Sequence, residues 1–380
     1  MSNKKVLAWL HGWLGVISGF FVILVAGSGA MLAFVGDLFL VQYGDVLKAT
    51  PSTPNTPMVN VSTLIASAVK GYEDNFQTVG VLMPHSRVEE VETAMVFVMP
   101  TGSQASEGIR MLSVDPWNAQ YKGDFPLSGA FAHELIDFHH SLLLGNPGII
   151  FVCVLSILLI FFALTGLYLW WPKHNNIWRK ATTLNFHDGI KKTCFSLHAW
   201  FGVWSSLLVI YFCLTGLALA KPDWFSPLLS PPSYAPPTSA GFAKQCGNNI
   251  TPSDAEAAGN KYFPNKKLAT FFMPNTENGP YMLTYKSNDD ENKRDGDGRI
   301  YVHASCSDLV HIERAELSKA SVRITGMLLS LHGGYTFGKP IGNMLVLLTG
   351  LSLIILVVTG MVKFFTRTKS RRRKILPTSQ

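Results

Sequence analysis

The 380-residue chain is 48% hydrophobic and only 15% charged, with a mean hydropathy of +0.22, which excludes an ordinary water-soluble domain of this length. Its net charge of +7 arises from 32 basic and 25 acidic residues. The basic excess is concentrated beside apolar runs, so it speaks for contact with anionic membrane lipid and against a nucleic-acid partner.

Four apolar runs are long enough for helices that cross a hydrocarbon core of roughly 30 Å: Val6 to Gly36, Gly148 to Trp171, Phe195 to Ala220 and Gly342 to Phe365. The first follows Lys4 and Lys5 as a signal peptide would, but its length and its mid-chain repeat predict a retained span. Basic flanks stay on the cytoplasmic side during insertion. They are Lys4 and Lys5 before span one, Lys173, Arg179, Lys180, Lys191 and Lys192 between spans two and three, and "KFFTRTKSRRRK" from Lys363. Both termini and the middle loop are therefore expected in the cytoplasm, and the two long segments, which hold most of the acids, on the opposite face.

The expected organisation is a transmembrane helix over 1–37, an outer domain over 38–132, an outer interfacial helix plus second span over 133–171, and a cytoplasmic loop over 172–192. A third span over 193–220, a second outer domain over 221–321, an interfacial helix plus fourth span over 322–366 and a basic tail over 367–380 complete it. In the first outer domain "VSTLIASAVKGY" has helical spacing, and "TVGVLM", "AMVFVM" and "RMLSVD" are β-rich runs bounded by turn residues. In the second, "SDAEAAGNKYF" reads as helix and "ATFFM", "YMLTY", "IYVHAS" and "LVHIER" as strands. The fold class is thus an α-helical membrane protein with four transmembrane helices and two extracytoplasmic α+β domains.

"SPLLSPPSYAPP" (226–237) is a proline-rich linker, and "SNDDENKRDGDGR" (287–299) a solvated hairpin or flexible loop whose acids are too irregular for calcium. Asn60 and Asn249 fall at matching helix caps, which accounts for their sequons. Cys246 and Cys306 share the second outer segment, where an oxidising compartment would let a disulfide persist; the sequence leaves their pairing open. Cys153, Cys194 and Cys213 lie in or beside spans as small packing residues. No CxxCH is present, which excludes covalent c-type haem.

The second half repeats the first. "LHGWLGV" (10–16) matches "LHAWFGV" (197–203), so His11 pairs with His198, and Ser28–Gly29 pairs with Thr215–Gly216 at the same offset of 187. "FHHSLLLGNPG" (138–148) matches "SLHGGYTFGKPIG" (330–342), and "LTG" at 164–166 matches "VTG" at 358–360. Both halves have the same orientation, which implies a pseudo-two-fold axis along the membrane normal. That axis sets His11 and His198 at one depth near the cytoplasmic end, and His139 and His332 at another, each on a short outer helix that a glycine-proline break bends into its span. His140 is the alternative to His139; the alignment of Gly145 with Gly338 and the apolar neighbours Leu135, Ile136, Leu142 and Leu143 favour His139.

One histidine near a span end is most simply a structural or interfacial residue. Four in two depth-matched pairs fit haem b, whose iron takes two neutral imidazoles and whose ring needs apolar walls. A zinc or non-haem iron site would call for carboxylate or thiolate company, and only Glu134 and Asp137 are near. His85, His133, His174, His187, His303 and His311 show no such pairing and read as surface residues. The aromatic clusters at 167–172 and 199–204 fit interfacial anchoring.

The paired "LHxWxGV" heads, the hydroxyl–glycine motifs, the basic tail and "LSVDPWNAQYKGDF" (112–125) resemble the PepSY-associated transmembrane proteins of bacterial inner membranes, over essentially the whole chain and most closely in their FoxB-type form. The resemblance implies PepSY-like outer domains in the periplasm and an oxidoreductase that uses two haem b groups to reduce ferric siderophores such as ferrioxamine. It also implies axial haem-iron ligation by His11, His198, His139 and His332. The electron donor, a cytoplasmic reductant or a quinol, and the catalytic contacts with substrate stay open, and the acidic loop at 287–299 departs from the family pattern. Two other functions stay open as well: a quinol-linked membrane cytochrome b, and a non-enzymatic PepSY regulator or chaperone.

Overall fold

The computed structural model describes residues 3–54, 56–70, 76–87, 89–101, 108–171, 181–184, 186, 189–226, 228–229, 247, 249–276 and 279–375. Lys173, Arg179, Lys180, His174, His187, Cys246 and most of the proline-rich linker lie outside the described residues.

Four helices are long and apolar enough to cross a membrane, which makes this a multi-pass membrane protein: α1 (Asn3–Leu32), α5 (Gly145–Trp170), α6 (Ile190–Ala220) and the Lys339–Thr366 part of α9 (Lys339–Ile375). The helix α1 packs on α5 and α9, and α6 likewise on α5 and α9, forming a four-helix bundle. The first span stops at Leu32, short of the expected Gly36. A turn at Ala33 and Phe34 separates it from α2 (Val35–Leu47), a helix the hydropathy pattern does not announce.

The interfacial helices α4 (Phe131–Ser141) and α8 (Ala320–His332) precede α5 and α9 as expected, but the prolines do not kink them. Pro147 and Pro340 lie in the first turn of α5 and α9, where a missing N–H costs no helix bond. The corner comes from residues at positive φ just upstream, Leu142 (52°) and Leu143 (60°) in one case and Gly334 (78°) and Gly338 (76°) in the other. Close backbone contact seals it. A Cβ on Gly148 would sit 1.7 Å from the Ser141 carbonyl oxygen, and one on Gly342 2.2 Å from that of Gly334.

The strands are β1 (Phe76–Leu82), β2 (Ala94–Pro100), β3 (Arg110–Val114), β4 (Tyr121–Pro126), β5 (Lys267–Phe272), β6 (Pro280–Lys286), β7 (Gly298–His303) and β8 (Cys306–Arg314). They do not form two separate sheets. All eight join in one antiparallel sheet of order β4-β3-β2-β1-β5-β6-β7-β8, because β1 pairs with β5 through Gly80↔Phe272, Val81↔Phe271 and Leu82↔Thr270. A Cβ on Gly80 would meet the Phe271 carbonyl oxygen at 2.5 Å, so only glycine lets the two edges close.

Helices α3 (Val61–Val69) and α7 (Pro252–Tyr262) pack on the sheet, sharing one apolar core built from both halves around Leu64, Val81, Val96, Phe271, Leu283 and Ile300. Their N-termini also bond each other: Val61 N–H donates to Glu256 at 2.8 Å and Ser253 N–H to Ser62 Oγ at 2.9 Å. Asn60 caps α3 as expected, whereas α7 is capped by Thr251 in a capping box with Asp254, not by Asn249. The helix α2 covers a second, smaller core around Leu47, Met95, Met111 and Phe125.

The acidic loop between β6 and β7 is structured. Asp290, 3% exposed, accepts from Lys266 Nζ (2.6 Å), Ser287 N–H and Oγ–H, and Asp297 N–H; Asp297 in turn accepts from the N–H groups of Glu291 and Asn292. The loop then docks on α8 through Asn292 Nδ2 to Gly326 O and an Arg323–Glu291 ion pair. Cys306 is disulfide-bonded, and Cys153, Cys194 and Cys213 are free.

Candidate functional site

Each of the four histidines is held by a neighbouring span of its own half. His11 on α1 meets α5, its Nδ1 lying 2.9 Å from Thr165 Oγ1. His139 on α4 meets α1, with Nδ1 at 2.9 Å from Val25 O and 3.3 Å from Ser28 Oγ. His198 on α6 meets α9, with Nδ1 at 3.0 Å from Leu356 O and 3.2 Å from Thr359 Oγ1. His332 on α8 meets α6, with Nδ1 at 3.1 Å from Phe212 O and 3.2 Å from Thr215 Oγ1.

These contacts fix the tautomer. A carbonyl only accepts, so His139, His198 and His332 carry their proton on Nδ1. Thr165 donates its own hydroxyl to Phe161 O at 2.7 Å, so it too is the acceptor, and His11 is protonated on the same nitrogen. In all four rings Nε2 is left with its lone pair for a metal, the arrangement in which a buried acceptor orients a ligating imidazole.

A glycine follows each hydroxyl residue and lies against the same ring. A Cβ on Gly29 would stand 2.7 Å from His139 Cε1, one on Gly216 2.8 Å from His332 Cε1, one on Gly360 3.1 Å from His198 Cε1, and one on Gly166 3.5 Å from His11 Cε1. The four hydroxyl–glycine dipeptides are thus sockets, the hydroxyl aligning the ring and the bare Cα making room for it. The sequence shows these dipeptides as repeated motifs but not this role, since it depends on contacts between residues more than a hundred positions apart.

Across the halves the rings then pair. His11 and His198 have ring centroids 6.3 Å apart, and His139 and His332 6.2 Å apart. Phe162 packs edge-on to His11 and Phe212 to His332. Each pair takes one histidine from each half. The first lies near the N-terminal ends of α1 and α6, the second at the end of the bundle nearest the sheet. Along α1 from His11 to the Ser28 socket, and along α6 from His198 to the Thr215 socket, the rise is about 26 Å.

His140, next to His139, is exposed and outside the pair. His85, His133 and His311 lie at or near the surface, beside Glu89 O (2.6 Å), Asp137 (3.8 Å) and Glu313 (3.9 Å). His303 departs from the surface reading: it is 1% exposed at the end of β7, where its Nδ1 accepts from Ser305 N–H at 3.1 Å. Among the described residues no group of three or more His, Cys, Asp or Glu side chains converges on a metal position, so the paired imidazoles are not part of a larger carboxylate or thiolate cluster.

The sequence matches the family model described as the PepSY-associated TM region over residues 8–367, which includes all four paired histidines. A comparison with curated proteins finds no match.

Proposed function

This chain belongs to the PepSY-associated transmembrane family, and from that premise we propose that it is a di-haem b inner-membrane reductase of the FoxB type, acting on ferric siderophores outside the cytoplasmic membrane. The observation that carries the reading is the double imidazole pair. A metal bonded at about 2.0 Å to one nitrogen of each ring, with about 1.2 Å from that nitrogen to the ring centre, would need the two ring centres no more than about 6.4 Å apart. The pairs measure 6.3 and 6.2 Å.

The donor set agrees with the spacing. Four neutral imidazoles with Nδ1 engaged and Nε2 available, in apolar surroundings and without carboxylate company, suit haem iron better than zinc or non-haem iron. His11 and His198 would hold one haem b, His139 and His332 the other. When bound, the two groups would supply one-electron transfer between the faces of the membrane, from a cytoplasmic or quinol donor to a ferric chelate.

The chain's own part is to orient and exclude. The sockets align the imidazoles, the phenylalanines and spans keep water from them, and the sheet stands over the outer pair. The basic flanks support a periplasmic sheet and cytoplasmic termini. The repeated element order and the like-for-like contacts of the two halves support the duplication and its pseudo-two-fold axis. Reduction releases iron because hard oxygen donors hold the ferric ion far more tightly than the ferrous one.

The test is the absorption spectrum and haem content of the purified full chain. Split α and β bands of low-spin haem b on reduction, about two haems per chain, and loss of one in each of His11→Ala and His332→Ala are expected. A colourless protein from haem-replete cells rejects the proposal. Oxidation of the reduced protein by ferric chelates under anaerobic conditions, ferric citrate and ferrioxamine B both included, tests the substrate.

A further inference from the structure

A cleft opens where the sheet meets the end of the bundle that carries His139 and His332. Five basic side chains line it, Arg87, Lys286, Lys293, Arg294 and Lys339, against two carboxylates, Glu89 and Glu90. They come from both halves: the turn after β1, the end of β6, the acidic loop and the head of α9.

Internal pairing accounts for part of this charge. Arg87 and Arg294 share Asp295, at 2.9 and 2.7 Å, and Lys339 pairs with Glu90. Lys286 and Lys293 are held differently, by the backbone carbonyls of Ser86 (3.0 Å) and Asn288 (2.6 Å). A carbonyl offers an ammonium a dipole but no opposite charge. Burial accordingly pulls the Lys286 pKa below the ordinary lysine value, although Glu89, Asp295 and Asp290 oppose it. The cleft therefore carries positive charge that a bound anion would offset.

Its position gives that charge a use. Tyr335, three residues beyond His332, lines the cleft together with Arg294. Val35 and Gly36, just past the socket that holds His139, line it too.

The geometry points to a binding site for the oxyanion periphery of the substrate: the cleft selects ferric chelates that carry carboxylate charge over neutral or cationic hydroxamate chelates of the ferrioxamine kind. The inference rests on the reductase reading and narrows its substrate class. The loop that departs from the family pattern supplies Lys293 and Arg294, so the preference belongs to this chain's own sequence. An anionic lipid headgroup presents the same oxyanion chemistry, and the test must separate the two.

The probe is gallium(III) citrate, which is redox-inert, titrated into the full chain in nanodiscs of neutral lipid and in nanodiscs containing phosphatidylglycerol. Saturable binding that weakens with salt is expected in both. The Lys286→Gln/Lys293→Gln double variant should weaken it about tenfold or more, Glu89→Gln should tighten it severalfold, and gallium desferrioxamine B should change by less than twofold in either variant. Equal affinity for the two chelates, or citrate binding that neither variant alters, overturns the inference. Citrate binding abolished by phosphatidylglycerol, with lipid affinity following the same lysines, assigns the cleft to headgroups and overturns it also. If the double variant does not fold, exposed Glu89 decides the matter: tightening supports the cleft, and no change sinks it. Because gallium binding involves no electron transfer, its failure leaves the haem spectrum untouched, and a haem-free protein leaves the binding result standing.

Discussion

At the scale of single residues, the hydroxyl–glycine sockets make unequal demands. Gly216→Ala would bring a methyl group 2.8 Å from His332 Cε1, closer than side chains tolerate, while the same change at Gly166 would leave an ordinary 3.5 Å contact with His11. Gly216→Ala is therefore expected to remove or convert to high spin the outer haem alone, and Gly166→Ala to leave both; haem content and the low-temperature spectrum check this. Thr215→Val keeps the shape but takes away one of the two Nδ1 acceptors of His332, and should lower outer-haem affinity about tenfold, the lower end of the range for loss of an orienting partner.

Asp290 makes a separate prediction. Burial alone would raise its pKa, but Lys266, Ser287 and the N–H of Asp297 together hold it below the usual carboxylate value. A depressed folded-state pKa gives stability that is present above the ordinary carboxylate value and lost as pH falls through the depressed one. Asp290→Asn should cost about 2 kcal/mol near neutrality and progressively less as the pH is lowered below the ordinary carboxylate value, which a series of thermal melts in detergent over that range measures. The four histidines were legible in the sequence because two repeated segments, the heads and the runs that precede spans two and four, mark them in pairs; Asp290 was not, because an acid in a run of acids looks solvated until its partners, among them Lys266 in the turn before β5, are brought to it.

At the scale of elements, the corners between the interfacial helices and their spans set the positions of His139 and His332. Composition finds the glycine-proline pairs but misassigns the work: the prolines begin the spans, and positive-φ residues with glycine contacts make the bends. The Gly148→Ala variant tests the contact. Its Cβ would meet backbone, the Ser141 carbonyl, and not a side chain that can swing away. It should separate α4 from α5, move His139 off His332, and cost the outer haem while sparing the inner one; a normal two-haem spectrum would count against this account of the corner. Seven of the eight strands were legible from their β-rich runs and turn residues; β4, whose YKGDFP sequence is half polar, was not, nor was α2, since its apolar side reads as a continuation of the first span.

At the scale of the whole molecule, each imidazole pair draws one member from each half, and so does the sheet. Pairing of β1 with β5 was beyond the sequence because the pattern within a strand says which face is buried but not which distant edge it will join. Expressed alone, residues 1–180 or 181–380 should bind no low-spin haem, and co-expression of the two should restore the split reduced bands. A half that bound haem by itself would mean that the pairs form between copies and not within the chain.

The shared seam also orders events during synthesis. When the first half has left the ribosome, His11 and His139 can already be seated in their sockets, but β1 has a bare edge and both rings face a gap. Neither is completed until translation passes His198, β5 and finally His332. Completion of both imidazole pairs and closure of the sheet therefore all wait on the second half, and a chain cut short before the end of α8 lacks His332 and cannot form the outer pair.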